Sequence, residues 1–130
     1  MKRILFVLSF ILLTTGFASA EDKASIAVLD SAVYDFGDIK EADGPASHVF
    51  KIKNEGNAPL VITKVVASCG CTTPEWPKEP IAKGKKGEIK VTFNPENRPG
   101  VFTKTISVYS NGKVGSYVLT IKGKVIPKEK

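Results

Sequence analysis

From Ser25 onward, apolar and polar side chains alternate with a period of two residues, and this alternation limits what the chain can fold into. Phe50 and Ile52 fall on one side of an extended segment, whereas Lys51 and Lys53 fall on the other. A helix would need apolar residues every three to four positions, and we find no amphipathic helix of useful length. The pattern therefore predicts an all-β protein.

Seven short apolar or alternating runs, separated by turn residues, give the predicted strand count. Their spacing is typical of a β-sandwich, whose stability would come from apolar burial between the two layers. The predicted strands are residues 26–29, 33–37, 48–53, 60–67, 87–94, 102–108 and 117–125.

Turn-forming residues define where these strands end. Phe36-Gly37 is predicted to end the second strand at a turn, and residues 54–57 are predicted to form another turn. Residues 73–86 contain several prolines, so they are predicted to be an edge segment or a loop. Asn111-Gly112 lies between two alternating runs and predicts a hairpin.

Residues 1–20 have the pattern of a secretory signal peptide. Two basic residues precede an apolar run over residues 4–13, and Ala18-Ser19-Ala20 is a small-residue cleavage site. A membrane anchor is the alternative, but the run is shorter than the about 20 residues that span a bilayer. We predict cleavage between Ala20 and Glu21, and a periplasmic or secreted chain that is not an integral membrane protein.

Residues 21–130 are predicted to form a single domain with a mildly basic surface. The net charge falls from +6 to +4 when residues 1–20 are removed, because they carry two cations and no acid. Most lysines are scattered, and only Lys83, Lys85 and Lys86 form a cluster. We interpret this as a solvated basic surface and predict no nucleic-acid binding, because exposed aromatic residues are not interleaved with the lysines.

The chain contains only two cysteines, and they are separated by Gly70. On a straight strand, positions i and i+2 share a face, and their Cα atoms would be about 6.6 Å apart. That separation is near the limit for a disulfide, so a bond requires a bend, which Gly70 permits. The residues that would share this face on a straight strand are Val61, Val65, Ala67, Cys69 and Cys71.

Three interpretations of the pair Cys69 and Cys71 stay open. A disulfide comes first, because exported chains meet oxidising conditions; such a strained bond would be easily reduced. Packing of two small buried side chains comes second. Capture of a soft ion such as Cu(I) comes third, since structural zinc needs four ligands and the chain adds only His48 to the two sulfurs.

The single histidine and the single tryptophan are both interpreted as structural residues. His48 is in phase with Phe50 and Ile52, so we predict a core-edge histidine and not a metal ligand. Trp76 lies in a proline-rich loop and is predicted to cover the open end of the core. No catalytic, metal-binding or cofactor-binding residue is predicted, because nothing beside the cysteines supplies the base or cation that a thiol enzyme needs.

A series of short motifs spread over nearly all of residues 21–130 resembles the secreted bacterial domain of unknown function 1573 family. That family resembles the Ig-like domains of the sperm-protein and Hydin type, so the resemblance implies a seven-stranded Ig-like sandwich. It implies no activity. The motifs are Tyr34-Asp35-Phe36-Gly37, Phe50-x-x-x-Asn54-x-Gly56, Pro59-Leu60-x-Ile62, Ser68-Cys69-Gly70-Cys71-Thr72, Gly87-x-Ile89-x-Val91 and Gly100-x-Phe102-x-Lys104.

The function expected from the sequence is that of an exported, non-enzymatic Ig-like module of the cell envelope, without a cofactor. Its partner is expected to be another envelope protein, bound through strand edges. The alternative is a periplasmic thiol-redox or Cu(I)-handling protein that acts through Cys69 and Cys71. Its oligomeric state is left open.

Overall fold

The computed structural model describes residues 23–129 of the chain. In this range the chain forms eight strands and a short 3-10 helix, Glu41–Asp43. The predicted signal peptide, residues 1–20, and the cleavage position between Ala20 and Glu21 lie outside the described residues. The strands are β1 (Ile26–Val28), β2 (Val33–Lys40), β3 (Ala46–Asn54), β4 (Ile62–Ala67), β5 (Thr72–Glu75), β6 (Lys86–Phe93), β7 (Gly100–Ser110) and β8 (Ser116–Ile126).

Two four-stranded sheets form the sandwich, which confirms the predicted fold class. Sheet A has the strand order β1-β3-β6-β5, and sheet B has the order β2-β8-β7-β4. All pairs are antiparallel except β2 with β8, which are parallel. Within residues 23–129, no helix has the length and apolar character that crossing a bilayer requires.

The count of eight strands corrects the predicted seven, and the additional strand is β5. It lies in the proline-rich segment and pairs with β6 on one side only, so it is the edge of sheet A. An edge strand needs backbone donors on one side alone, which is why it tolerates Pro74. The prediction that this segment is an edge or a loop is therefore confirmed for its first part.

Strand β2 does not end at Phe36-Gly37, as was predicted, but continues to Lys40. The pairing of β2 with β8 shifts register between Asp35 and Asp38, where Gly37 takes a φ of +66°. The Gly37 N–H donates to Asp35 Oδ1 at 2.8 Å, which replaces the hydrogen bond lost at the bulge. The glycine therefore makes a bulge within the strand instead of a turn.

Strand β4 also departs from the predicted alternation. It starts at Ile62, and its pairing with β7 shifts register between Ile62 and Lys64. This irregularity places Ile62 and Val65 in the core and leaves Val66 exposed. The predicted common face is therefore correct for Val65 and Ala67, which lie opposite the buried Val108 and Ile106. It is wrong for Val61, because the bulge exchanges the two faces of the chain before Lys64.

The core lies between the two sheets and consists of aliphatic and phenylalanine side chains from both. Phe93 of sheet A stacks on Phe102 of sheet B, with ring centroids 4.1 Å apart. Burying each large apolar side chain contributes about 1.5–3 kcal/mol. The predicted inward residues are confirmed in β3, β6, β7 and β8. Over both sheets and the segment before β4, the fully buried large apolar side chains are Phe50, Ile52, Leu60, Ile89, Val91, Phe93, Ile106, Val108, Leu119, Ile121 and Val125.

The predicted hairpin at Asn111-Gly112 is confirmed and joins β7 to β8 through residues 111–115. Asn111 also makes tertiary contacts. Its Oδ1 accepts a hydrogen bond from the Val61 N–H at 2.8 Å, and its Nδ2 donates to the Pro59 carbonyl at 3.1 Å. This side chain therefore holds the segment before β4 against the end of sheet B.

Asn54, at the end of β3, is completely buried. Its Oδ1 accepts hydrogen bonds from the N–H groups of Ser25, at 3.2 Å, and Gly56, at 3.0 Å. Its Nδ2 donates to the carbonyls of Ala58, at 2.7 Å, and Ile81, at 3.0 Å. The Asn54 side chain thus joins the N-terminal segment, the turn after β3 and the segment before β6. The sequence predicts Asn54 as a turn residue but does not predict this buried role.

Gly56 lies directly under the N-terminal segment. A Cβ atom at this position would overlap the Lys23 carbonyl oxygen and would lie 2.6 Å from the Ala24 Cα. The Asn57 N–H donates to that same carbonyl at 3.0 Å, so the segment is fixed in this position. Only glycine fits here, because a side chain would displace backbone.

Candidate functional site

The cysteine corner, residues 68–71, is the crossover from β4 in sheet B to β5 in sheet A. It is held to sheet B by Ser68, whose N–H donates to the Thr105 carbonyl at 2.9 Å and whose Oγ accepts from the Thr105 N–H at 3.1 Å. It is held to sheet A because the Asn94 N–H donates to the Cys71 carbonyl at 2.8 Å. Both layers therefore fix its position.

The structure joins Cys69 and Cys71 in a disulfide. Their Cα atoms are 5.2 Å apart, closer than an extended segment allows and well within the usual range for a disulfide. The chain bends here, and the Thr72 N–H donates to the Cys69 carbonyl at 3.2 Å across the bend. A straight continuation of β4 is therefore excluded, and the bend occurs without a positive φ at Gly70.

The two sulfurs have different surroundings. Cys71 is 4% exposed and belongs to the core, with its Sγ 3.6 Å from Thr72 Oγ1. Cys69 is partly buried, and its Sγ accepts a hydrogen bond from the Cys71 N–H at 3.0 Å. An external thiolate could approach Cys69 but would have to expel the Cys71 thiolate into the core, where burial disfavours the charged form. This arrangement favours a structural bond.

The contribution of this disulfide to stability is small. In the chain-entropy model, a bond that closes so short a loop removes little freedom from the unfolded chain, about 1.5 kcal/mol. The bend is also held by backbone hydrogen bonds to both sheets. We infer that the cysteine corner is positioned by the sandwich and not the reverse.

His48 lies on β3 and stacks on Tyr34 of β2, with ring centroids 3.6 Å apart and an angle of 8° between the planes. It also makes an edge contact with Phe50 at 4.7 Å. The rings connect the edge of sheet B to sheet A, as expected of a core-edge histidine. Among the described residues, no group of three or more His, Cys, Asp or Glu side chains is arranged to hold a metal ion.

Burial lowers the pKa of His48 from its ordinary 6.5, and Asp30 opposes this shift. The unfolded chain therefore binds this proton at a higher pH than the folded chain, so stability should fall as the pH drops through about 6.5. We expect the melting temperature of the wild type to fall more between about pH 8 and about pH 5 than that of His48→Phe, which can stack without titrating. An equal fall in melting temperature for the wild type and His48→Phe would contradict this prediction.

Trp76 is partly buried and packs against the core, as expected of a structural tryptophan. The Lys78 Nζ lies 3.1 Å from the centre of its ring, in a cation–π contact. Trp76 therefore has a structural role, with contacts to the core and to Lys78.

Glu41 fixes the end of the sandwich that carries the cysteine corner. Its Oε2 accepts a hydrogen bond from the Asn97 N–H at 2.7 Å, and its Oε1 accepts one from the Lys128 N–H at 3.2 Å. The bonds to the Asn97 and Lys128 backbone lower the pKa of Glu41. The carboxylate thereby ties the 3-10 helix to the turn before β7 and to the C-terminal segment.

The outer face of sheet B carries a group of uncharged residues that local sequence patterns do not reveal. Val118 of β8 is opposite Ser107 of β7, which is opposite Val66 of β4. In the next row, Val33 of β2 is opposite Thr120 of β8. We call the group the valine face, and its members are Val33, Val66, Thr105, Ser107, Val118 and Thr120.

The three valines of this face are half exposed, at 45% for Val33, 48% for Val66 and 51% for Val118. Charged residues border the face at both ends. Asp35 is opposite Lys122 at one end, and Lys64 lies over the Tyr109 ring at the other, with Nζ 4.7 Å from the ring centre. An apolar centre with a charged border is the arrangement found in protein interfaces.

A sequence model of one family, described as "Protein of unknown function (DUF1573)", matches residues 27–125. The chain belongs to the DUF1573 family. The matched range includes every strand except the ends of β1 and β8, so membership covers both the cysteine corner and the valine face. No curated protein matches this DUF1573 chain.

Solved structures similar to this DUF1573 domain show its fold. A protein of unknown function from Porphyromonas gingivalis W83 matches with a TM-score of 0.70 and 17% identity, over 84% of this chain and 51% of that one. The ASH/PapD-like domain 7 of human CEP192 matches with 0.63 and 10%, over 83% and 88%. The VesB protease of Vibrio cholerae matches with 0.57 and 16%, over 79% and 31%.

These likenesses bear on architecture alone, because all of the identities are low. The PapD-like match confirms the Ig-like character of the sandwich. The DUF1573 chain spans about half the length of the Porphyromonas gingivalis protein. The fold is shared by domains with different functions, so function has to be argued from the surface of this chain.

Proposed function

We propose that this chain is an exported, non-enzymatic module of the cell envelope that binds another envelope protein through the valine face. The observation that supports the proposal is the grouping of Val33, Val66 and Val118 on one exposed side of sheet B. They come from three different strands and share one face only in the folded protein. Single exposed valines need no explanation, whereas a group of them with a charged border marks a contact surface.

The strand edges, which are the contact surfaces expected from the sequence, are poorly suited to binding a partner. Strand β1 has three residues, and β5 has four including Pro74. The other two edge strands, β2 and β4, both contain register shifts. Short, bulged or proline-containing edges resist the addition of a further strand. A partner is therefore better accommodated on a sheet face than on an edge.

The size of the valine face suits a reversible contact. Four strands span about 14 Å from the first to the last, at about 4.8 Å between neighbours. A face of this width supplies the centre of an interface, and a standard interface of about 800 Å² per partner needs the charged border as its rim. We therefore expect association that weakens when the border charges are screened by salt.

Charge placed on the valine face tests the proposal. We expect Val66→Lys/Val118→Lys to lose the partner cross-linked to the wild-type chain in envelope extracts, because a lysine in an interface centre must be desolvated. The matched control is Val114→Lys, which changes a valine that is 62% exposed in the β7–β8 turn and should leave the cross-link intact. An unchanged cross-link in the double variant would contradict the proposal.

Thiol exchange or Cu(I) binding at the cysteine corner is the competing function. A Cys69→Ala/Cys71→Ala variant separates the two, because it keeps the valine face and removes both sulfurs. We expect it to retain the cross-linked partner. Rapid reduction of the bond in the folded protein by a mild dithiol, or uptake of one Cu(I) per chain lost in this variant, would support the competing function instead.

A further inference from the structure

The second surface with a distinctive composition lies on the outer face of sheet A, on the opposite side of the sandwich from the valine face. Lys53 of β3 is directly opposite Lys86 of β6. Like charges in directly opposed positions destabilise a sheet. The nearest acidic position in this strand pair, Glu88, is opposite Lys51 and not this pair. The fold therefore concentrates positive charge here at a cost to its own stability.

The turn before β6 adds two more lysines, Lys83 and Lys85, both exposed. The turn is fixed in place by the buried Asn54. The Gly84 N–H donates to the Asn54 carbonyl at 2.9 Å, and the Asn54 N–H donates to the Lys85 carbonyl at 2.9 Å. The backbone of the turn is thus held beside the end of β3, next to the Lys53–Lys86 pair. We call Lys51, Lys53, Lys83, Lys85 and Lys86 the lysine corner.

An exposed leucine lies beside the lysine corner. Leu29, which follows β1, is 39% exposed, and its N–H donates to the Lys51 carbonyl at 3.0 Å. Because its neighbour Val28 is paired with the buried Ile52, the next position points to the outer face. A cluster of lysines with an apolar side chain among them matches the interface of an anionic bilayer, where phosphates take the charge and the acyl boundary takes the leucine.

We propose that the lysine corner, with Leu29, docks this domain on an anionic phospholipid surface. The contact is independent of the valine face, since the two lie on opposite sheets, so the domain can lie on a bilayer and present the valine face to a protein. Binding is electrostatic at long range and is completed by insertion of one leucine, so it is reversible and sensitive to salt.

The test is co-sedimentation of residues 21–130, the chain expected after signal-peptide cleavage, with vesicles of phosphatidylcholine alone or of equal parts phosphatidylcholine and phosphatidylglycerol. We expect binding to the anionic vesicles only and release by sodium chloride. Inorganic phosphate should release no more protein than sodium chloride at equal ionic strength, because the site recognises a surface and not a single phosphate. A superior effect of phosphate would overturn the proposal in favour of a free-anion site.

Variants locate the contact. Lys53→Glu/Lys86→Glu should weaken binding about tenfold or more, since it reverses two of the charges that would face the phosphates. It replaces one like-charge pair with another, so the loss of binding does not come from a change in this cross-strand pair. Lys53→Arg/Lys86→Arg keeps the charge and should bind like the wild type. Leu29→Ser should bind more weakly than the wild type at the same salt concentration.

The matched control for position is Lys122→Glu/Lys124→Glu, which makes the same change in net charge on sheet B. It should bind better than Lys53→Glu/Lys86→Glu, and thermal melts check that each variant is folded. Equal binding by the two charge-reversal variants would mean that net charge alone drives attraction and would overturn the proposal. Failure of the wild-type chain to co-sediment with anionic vesicles would also overturn the proposal.

Discussion

Replacing Asn54 with alanine should cost the domain about 4 kcal/mol of unfolding free energy, the largest effect that we expect from a single polar substitution. The change removes the side-chain partner of the Ala58 and Ile81 carbonyls and of the Ser25 and Gly56 N–H groups. The Ile81 carbonyl keeps its bond from the Leu60 N–H, so three part-buried groups are left unpaired. Each unpaired buried group costs about 1–3 kcal/mol, partly relieved where water can enter. Urea unfolding followed through Trp76, the single tryptophan, measures the loss.

The matched control is Asn111→Ala, which also removes an asparagine that bonds two backbone groups. Those bonds are exposed, so water can replace the side chain and the cost should be about 1 kcal/mol. If Asn54→Ala gives no folded protein, Asn54→Ser, which keeps a partial set of hydrogen bonds, should fall between the wild type and complete unfolding. Equal losses for Asn54→Ala and Asn111→Ala would show that the buried network adds nothing.

A methyl group at Gly56 should destabilise the domain by about 2 kcal/mol or more, because it meets backbone atoms that cannot rotate away. Gly56→Ala would force Lys23 and Ala24 off the turn and expose the buried Ala24. We expect a lower melting temperature and faster cleavage of the N-terminal segment by a protease. The melting temperature reports the loss of stability of the whole domain, and the rate of proteolysis reports the displacement of the N-terminal segment itself.

Gly70→Ala is the control for this substitution, since a Cβ there meets nothing within 4 Å and Gly70 has no positive φ. It should be neutral or slightly stabilising, because alanine restricts the unfolded chain. If Gly56→Ala behaved like Gly70→Ala, the N-terminal segment would have to be free to move aside. The comparison also tests whether the cysteine corner requires a glycine.

The parts of the fold that could be predicted are those written into consecutive residues. The two-residue period of a strand is enough to predict that Phe50 and Ile52 face inward and that Lys51 and Lys53 face outward. The turn preference of Asn-Gly is enough to predict the hairpin at Asn111-Gly112. The bulge at Gly37 was read as a turn, because a glycine with a positive φ serves both purposes. Only the pairing with β8 distinguishes them, and that partner is far away in the sequence.

The candidate surfaces depend on register, which local patterns do not contain. Alternation indicates that Val66 and Val118 can point outward, but not that Ser107 lies between them. Likewise, the sequence shows Lys83, Lys85 and Lys86 as a cluster, whereas Lys53 joins them only through the pairing of β3 with β6. The bend at the cysteine corner was permitted by Gly70, but its hydrogen bonds come from both sheets.

The parallel pairing of β2 with β8 has a consequence for how the chain acquires its structure. Val33 in the second strand is paired with Thr120 in the last, so sheet B cannot close until almost the whole sandwich domain is available. Pairing strands that are so far apart in the sequence has a high entropic cost. Folding should therefore be slower than in a protein whose contacts are mostly local. A nascent chain that ends before β8 should therefore remain open and accessible to chaperones or to a translocation machinery.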